Sequence, residues 1–123
     1  MGASARLRSA LGLAGAVFVA GAALQGLQGW SGDRAGVQVA TQAKPGDIHM
    51  ISSVACAYCA RARTWFTDHR VPFTECLIEH DSRCAATYTA LLAPGTPVLL
   101  VRGQRLVGFN AQTIAEALSR PTP

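Results

Sequence analysis

Charged residues are missing from a long stretch near the start of this 123-residue chain. No Asp, Glu, Lys or Arg occurs from Ser9 to Gly32, so a helix here has no polar face to present to water. As a helix, residues 10–30 would extend over roughly 31 Å at about 1.5 Å per residue, which is enough to cross a bilayer. The missing charge therefore predicts a membrane-type segment in residues 1–30, with a buried helix of a soluble core as the alternative.

Two kinds of membrane-type segment fit this stretch. One is an uncleaved anchor that ends at Trp30, an aromatic residue suited to the membrane interface. The other is a signal peptide with an apolar region over Leu11–Val19 and a cleavage site of small residues at positions 20–22. Both export the rest of the chain, and the sequence leaves the choice between them open.

The arginines before this stretch predict which side of the membrane the rest occupies. Arg6 and Arg8 are expected to stay in the cytoplasm, which places residues 31–123 outside it. The protein is then a single-pass inner-membrane protein held through residues 10–30, or a periplasmic or secreted one. All four cysteines lie in the exported part, where thiols can be oxidised.

The chain also lacks the positive surplus of a nucleic-acid-binding protein. Without Arg6 and Arg8, nine of its 11 Lys and Arg residues remain against seven Asp and Glu residues, a surplus of two. This balance predicts no nucleic-acid partner.

Residues 31–46 are small and polar with little apolar periodicity, which predicts a flexible linker before a domain at residues 47–120. In that domain, apolar runs and turn residues predict strands, and helical spacing predicts helices. The predicted strands are 48–52, 73–78, 97–101 and 105–109, and the predicted helices begin near Cys56, Asp81 and Ala111. The order βαβαββα indicates an α/β fold, a four-stranded mixed sheet with helices on both faces.

Two cysteines stand three positions apart in "VACAYCARAR", where the first predicted helix of the domain begins. At a helix N-terminus, the sulfur of Cys56 meets unpaired N–H groups and the positive end of the helix dipole, which favour a thiolate. Arg61 and Arg63 are expected to add positive charge nearby. Cys59, one turn further in, is expected to be more buried and to resolve the mixed disulfide.

Other interpretations of this pair remain open. It can be an ordinary disulfide, although so short a loop gains little chain entropy on closure. A zinc ribbon needs a second Cys-x2-Cys, which the chain lacks, so no metal is expected. The three histidines are assigned ordinary roles: His49 at a strand edge, His69 in the last turn of a helix and His80 in a loop.

Cys76 and Cys84 form a possible second disulfide, between a predicted strand and the start of the next helix. In an oxidising compartment such a bond is more often structural than catalytic. The alternative is a relay pair that takes electrons from Cys56 and Cys59.

The run "CAYCARARTWFTDHRVPFTE", with "GTPVLL" and "LVGFNAQTI" after it, resembles the glutaredoxins and their relatives in the thioredoxin superfamily. Cys56, Tyr58 and Cys59 match the family motif Cys-Pro-Tyr-Cys, and Ala57 replaces its proline. The resemblance implies a thioredoxin-like, glutaredoxin-type fold. It also implies that Thr96-Pro97 is the family's cis-proline dipeptide beside the cysteines, where the backbone of Thr96 can pair with a substrate.

The resemblance also bears on glutathione. Glutathione-using members carry Gly-Gly and then an acidic residue after the last strand, where this chain has Gly108-Phe109-Asn110-Ala111. Gly-Phe at this place is similar to redoxins that serve protein partners. The resemblance therefore implies a substrate groove framed by Tyr58, Thr96, Pro97 and Gly108, weak glutathione binding and no bound cofactor.

These observations lead to one functional hypothesis and two alternatives. The hypothesis is a thiol-disulfide oxidoreductase outside the cytoplasm that acts through Cys56 and Cys59 on protein disulfides, with small-thiol disulfides left open, and exchanges electrons with a dithiol protein. The alternatives are a non-catalytic thioredoxin-fold binding module with structural disulfides, and a metal-binding domain.

Overall fold

The computed structural model describes residues 34–122. The predicted anchor or signal segment, residues 1–30, lies outside the described residues. Between residues 34 and 122, no helix is long and apolar enough to span a bilayer.

Eight elements follow one another in the described chain. They are α1 (residues 34–42), β1 (Ile48–Ser52), α2 (Ala57–Asp68), β2 (Thr74–Leu77), α3 (Ser82–Ala90), β3 (Val98–Val101), β4 (Gln104–Val107) and α4 (Ala111–Ser119). From β1 onward this is the predicted order βαβαββα, which is confirmed.

The four strands form one mixed sheet in the order β2-β1-β3-β4. Strand β1 pairs in parallel with β2 and antiparallel with β3, and β3 pairs antiparallel with β4. Helix α2 connects the parallel pair, as a parallel connection requires. Because β1 and β2 run in the same direction, their carboxyl ends lie at the same end of the sheet. The loop that leads from β1 to Cys56 begins there.

The sheet buries a different cluster on each face. Consecutive residues of a strand point to opposite faces, so Met50 and Ile51 on β1 belong to different clusters. The larger cluster joins α1, α2 and α4 to the sheet and includes Phe66 and Ile114. The smaller one lies under α3 and contains Ile51, Cys84 and Val98. The predicted helices on both faces are therefore confirmed.

The prediction of a flexible linker over residues 31–46 is wrong for the helix at 34–42, and the domain begins before residue 47. Ala35 is 4% exposed and Val39 is fully buried in the larger cluster. Gly36 lies so close to the His69 ring that an added Cβ would be 2.2 Å from its Cδ2. These small side chains give a weak hydrophobic pattern, but they let the helix approach the domain closely.

Arg102 joins α1 and α4 to the β3–β4 hairpin. Its guanidinium donates to the carbonyl of Leu118 at 2.7 Å, to the carbonyl of Gln42 at 3.3 Å and to Asp47 Oδ2 at 3.0 Å. Two of these acceptors are carbonyls at the carboxyl ends of helices, where a cation is favoured. The Arg102 hydrogen bonds also hold the pKa of Asp47 below its ordinary value.

Candidate active site

Cys56 caps the N-terminus of α2, as predicted. Its backbone is extended, and its sulfur accepts the N–H of Cys59 at a donor–acceptor distance of 3.1 Å. This is the position where a side-chain acceptor satisfies an unpaired N–H group of the first turn. Cys56 is half-buried and Cys59 fully buried, and the two form a disulfide with Cα atoms 5.2 Å apart. The accessible sulfur therefore belongs to Cys56.

The Thr96-Pro97 peptide bond is cis, and it lies beside the cysteines. The carbonyl oxygen of Thr96 is 3.5 Å from Cys56 Sγ. Gly108 donates its N–H to the carbonyl of Pro97 at 2.8 Å. The structure thus brings Cys56, Thr96, Pro97 and Gly108 together at one end of the sheet.

Apolar side chains remain exposed around Cys56. Tyr58 is 65% exposed and Val54 is 59% exposed. The Arg61 guanidinium lies 5.5 Å from the centre of the Tyr58 ring, within the range of a cation–π contact. An apolar and cationic surface therefore adjoins the accessible sulfur.

The two arginines expected to add charge near Cys56 have different partners in the structure. Arg63 forms a salt bridge with Glu75 on β2, and its Nε is 2.8 Å from Glu75 Oε2. This contact lowers the pKa of Glu75 and raises the pKa of Arg63. Glu75 therefore neutralises Arg63, whereas Arg61 contacts the exposed Tyr58 ring.

Glu79, which the sequence analysis missed, holds the loop that leads to Cys56. Its carboxylate accepts the hydroxyl of Ser53 and, at 3.2 Å, the N–H of Val54. The hydrogen bond from Ser53 is the main reason that the pKa of Glu79 lies below its ordinary value. The parallel pairing of β1 with β2 could have indicated this contact. The loop after β1 and the loop after β2, which carries Glu79, leave the same end of the sheet.

The second pair of cysteines is also joined. Cys76 on β2 and Cys84 in α3 form a disulfide with Cα atoms 6.0 Å apart. His69 caps the C-terminal end of α2 as expected. His49 is the second residue of β1, an interior strand of the sheet, and it contacts Cys76. No set of three or more His, Cys, Asp and Glu side chains between residues 34 and 122 is arranged to hold a metal ion.

The segment 108–111 ends the sheet and begins α4. Gly108 has a φ of 78° and lines a pocket along β4 together with Val107, Asn110 and Thr113. The Phe109 ring packs edge-on against Trp65 and Phe66, with ring centres 5.3 and 5.7 Å away. The bulk of Phe109 therefore lies against these two aromatic side chains.

Comparison with known proteins adds to this geometry. The glutaredoxin family profile matches residues 48–106. A search of curated proteins found no match to this chain.

Solved structures of low sequence identity share the fold. A substituted form of a thioredoxin-like protein superposes with a TM-score of 0.54 at 16% identity, over 59% of this chain and 95% of that one. Methanoredoxin from Methanosarcina acetivorans gives 0.51 at 20% identity, over 63% and 90% of the two chains. A glutaredoxin from Archaeoglobus fulgidus gives 0.50 at 15% identity, over 60% and 87%.

The sheet order β2-β1-β3-β4 and the superposition on a thioredoxin-like protein define a thioredoxin-like fold. The family match narrows this class: over residues 48–106 the chain matches the glutaredoxins, and this part of it is glutaredoxin-like.

Proposed function

We propose that the protein is a thiol-disulfide oxidoreductase that acts on protein disulfides through Cys56 and Cys59. The observation that carries the proposal is the position of Cys56: its half-buried sulfur caps α2 and receives the N–H of Cys59. A thiolate formed there keeps this hydrogen bond and gains the field of the helix N-terminus, which favours it over an ordinary thiol.

The two cysteines take different parts in the reaction. The Cys56 thiolate attacks one sulfur of a substrate disulfide and forms a mixed disulfide, while the other substrate sulfur leaves as a thiolate. Cys59, fully buried one turn further along α2, then attacks Cys56 Sγ and releases the reduced substrate. The protein ends with the Cys56–Cys59 disulfide, and a partner dithiol must return two electrons before the next cycle.

Protein substrates suit the surface around Cys56. Val54 and Tyr58 offer exposed apolar area, and the Thr96 backbone beside Cys56 would pair with an extended peptide. A binding module without catalysis would not need its accessible sulfur at the centre of this surface.

Trapping of the mixed disulfide tests the catalytic proposal. A Cys59→Ser variant should accumulate disulfide-linked adducts with oxidised protein substrates, because nothing then displaces them from Cys56. A Cys56→Ser variant is the matched control and should accumulate none. If neither variant differs from the parent chain after alkylation with a maleimide, the cysteines are structural and the binding-module alternative replaces the proposal.

We also propose that glutathione is a poor reductant of this protein. Ala111 stands where glutathione-using relatives have an acidic residue, so no carboxylate at this position pairs with the glutathione ammonium. An Ala111→Asp variant should be reduced faster by glutathione than the parent, and Ala111→Asn, of the same size, should not. Efficient turnover of the parent by glutathione would contradict the proposal.

The proposed place of action is outside the cytoplasm, and it rests on Arg6, Arg8 and the uncharged stretch behind them. A reporter that is active only after export should work when fused after Pro123. Arginines moved into positions 31–35 should weaken that export. A reporter that works only in the cytoplasm would overturn this part of the proposal and leave the chemistry of Cys56 untouched.

A further inference from the structure

The two disulfides lie on opposite faces of the sheet. Cys56 and Cys59 belong to the end of α2, whose buried residues pack in the larger cluster. Cys84 and Cys76 belong to the smaller cluster with Ile51, on the other face. Helix α2 and the Cys76–Cys84 pair thus pack on different faces of the sheet, and we consider a reductant of Cys76–Cys84 that comes from outside the molecule.

A histidine faces the second disulfide. His49 Nε2 lies 3.4 Å from Cys76 Sγ, and His49 Nδ1 lies 2.7 Å from Thr74 Oγ1. His49 is paired with Thr74 across the parallel strands, and Cys76 is the next residue along β2 on the same face. Both ring nitrogens therefore have a partner, which fixes the ring with Nε2 toward the sulfur.

The environment of the two sulfurs is unequal. Cys84 is 3% exposed, on the side of α3 that faces the sheet. Cys76 is half-buried on β2, which is an edge strand of the sheet. An external thiolate consequently reaches Cys76 Sγ more easily. The titratable groups that the neighbouring elements bring to the pair are His49 on β1, Asp81 at the cap of α3 and Tyr88 on α3.

We propose that Cys76–Cys84 is a second redox couple, reduced by an external dithiol, in which His49 stabilises the Cys76 thiolate. This inference goes beyond the proposed reaction of Cys56 and Cys59. An imidazolium at His49 can donate Nε2–H to the Cys76 thiolate and Nδ1–H to Thr74 Oγ1. A charge-assisted contact of this kind lowers the free energy of the reduced form.

Reduction proceeds in two exchanges. One thiolate of the dithiol attacks Cys76 Sγ, a mixed disulfide forms, and Cys84 leaves as a thiolate in the first turn of α3. The second thiolate of the donor then attacks the donor sulfur that is bonded to Cys76. This closes the donor disulfide and releases the Cys76 thiolate beside His49. Two electrons pass to the protein, and the two thiol protons of the donor are taken up by Cys84 and by His49 or Cys76.

Reduction also has a structural consequence, because α3 depends on this bond. Cys84 is the buried residue of α3, and the cluster beneath the helix has three buried members. Loss of the bond leaves α3 with few apolar contacts to the sheet. The amide hydrogens of residues 82–90 should exchange faster in the reduced protein, while those of α2 keep their protection.

The test isolates the second pair in a full-length Cys56→Ser/Cys59→Ser chain, which also keeps the result independent of the proposed activity. Dithiothreitol buffers set the potential, and maleimide labelling with mass spectrometry reports the reduced fraction. Further changes in this background are His49→Phe, which removes the ring nitrogens, His49→Gln, which keeps a neutral polar group, and His80→Phe as the matched control on an exposed histidine.

Without His49 the reduced form loses its thiolate contact, so the equilibrium should shift about tenfold toward the disulfide, or ~30 mV more negative. As the pH is lowered, the alkylation rate of reduced Cys76 should begin to fall at a higher pH in both His49 variants than in the parent. The His80→Phe control should change neither the redox equilibrium nor this pH profile. Two results would overturn the proposal: reduction by dithiothreitol only after unfolding in urea, or His49 variants with the potential and pH profile of the parent. Circular dichroism of the oxidised variants establishes that each is folded.

Discussion

At the scale of single residues, Arg102 shows how one side chain offsets an unfavourable backbone. Arg102 and Gly103 are the central residues of the β3–β4 hairpin, with φ values of 48° and 81°. Such turns favour Asn-Gly, because a residue larger than glycine is strained at positive φ. The three acceptors of the Arg102 guanidinium explain why an arginine occupies this turn.

Removal of that guanidinium should destabilise the domain. We expect Arg102→Met to lower the free energy of unfolding by about 2 kcal/mol, since three partly buried acceptors lose a charged donor. Arg102→Asn should cost less, because asparagine tolerates the backbone while the long-range hydrogen bonds are lost in both variants. Urea denaturation measures the difference, and an Arg102→Met protein as stable as the parent would show that these hydrogen bonds contribute nothing.

At the scale of elements, the contact of α1 with α2 depends on the missing side chain of Gly36. A Cβ at this position would lie 2.2 Å from His69 Cδ2, so Gly36→Ala must displace the ring or the helix. Overpacking costs about 1–3 kcal/mol, which exceeds the gain of about 1 kcal/mol from alanine in a helix. Gly36→Ala should therefore destabilise the protein.

A double-variant cycle measures this contact by urea denaturation. In a His69→Ala background the ring is absent, so Gly36→Ala should become neutral or stabilising by up to about 1 kcal/mol. If the alanine costs the same in both backgrounds, the close approach to His69 is not the cause.

The same helix shows where sequence patterns lose their power. The strands were predictable because runs such as Ile48–Ser52 and Val98–Val101 are strongly apolar, and α3 was predictable from its cap at Asp81. Helix α1 buries Ala35 and Val39, whose small side chains scarcely differ from those of a linker. The position of Cys56 at the start of a helix and the burial of Cys59 could be predicted because they follow from local helix geometry. The contacts of Glu79 and His49 depend on strand pairing and could not.

At the scale of the whole molecule, three carboxyl groups tie stability to pH. The pKa values of Asp47, Glu75 and Glu79 all lie below their ordinary values, chiefly through hydrogen bonds from Arg102, Arg63 and Ser53 respectively. A group whose pKa is lower in the folded state binds fewer protons there than in the unfolded chain. Its contribution is complete above the unfolded pKa, roughly 4 to 4.5, and is lost as the pH falls through the folded pKa.

We therefore expect the free energy of unfolding to be level near pH 7 and to decline once the pH falls below about 5. Urea denaturation between pH 7 and pH 3, with both disulfides intact, measures this decline. Two variants show which carboxyl groups cause the decline. Arg102→Met removes the main cause of the lowered pKa of Asp47, and Arg63→Met removes that of Glu75. Each variant should be less stable at pH 7 and lose less on acidification than the parent. A variant without the lowered pKa has already lost the stability that protonation of that carboxyl group would remove. Curves of unfolding free energy against pH that run parallel in parent and variants would therefore mean that the decline comes from groups other than Asp47 and Glu75.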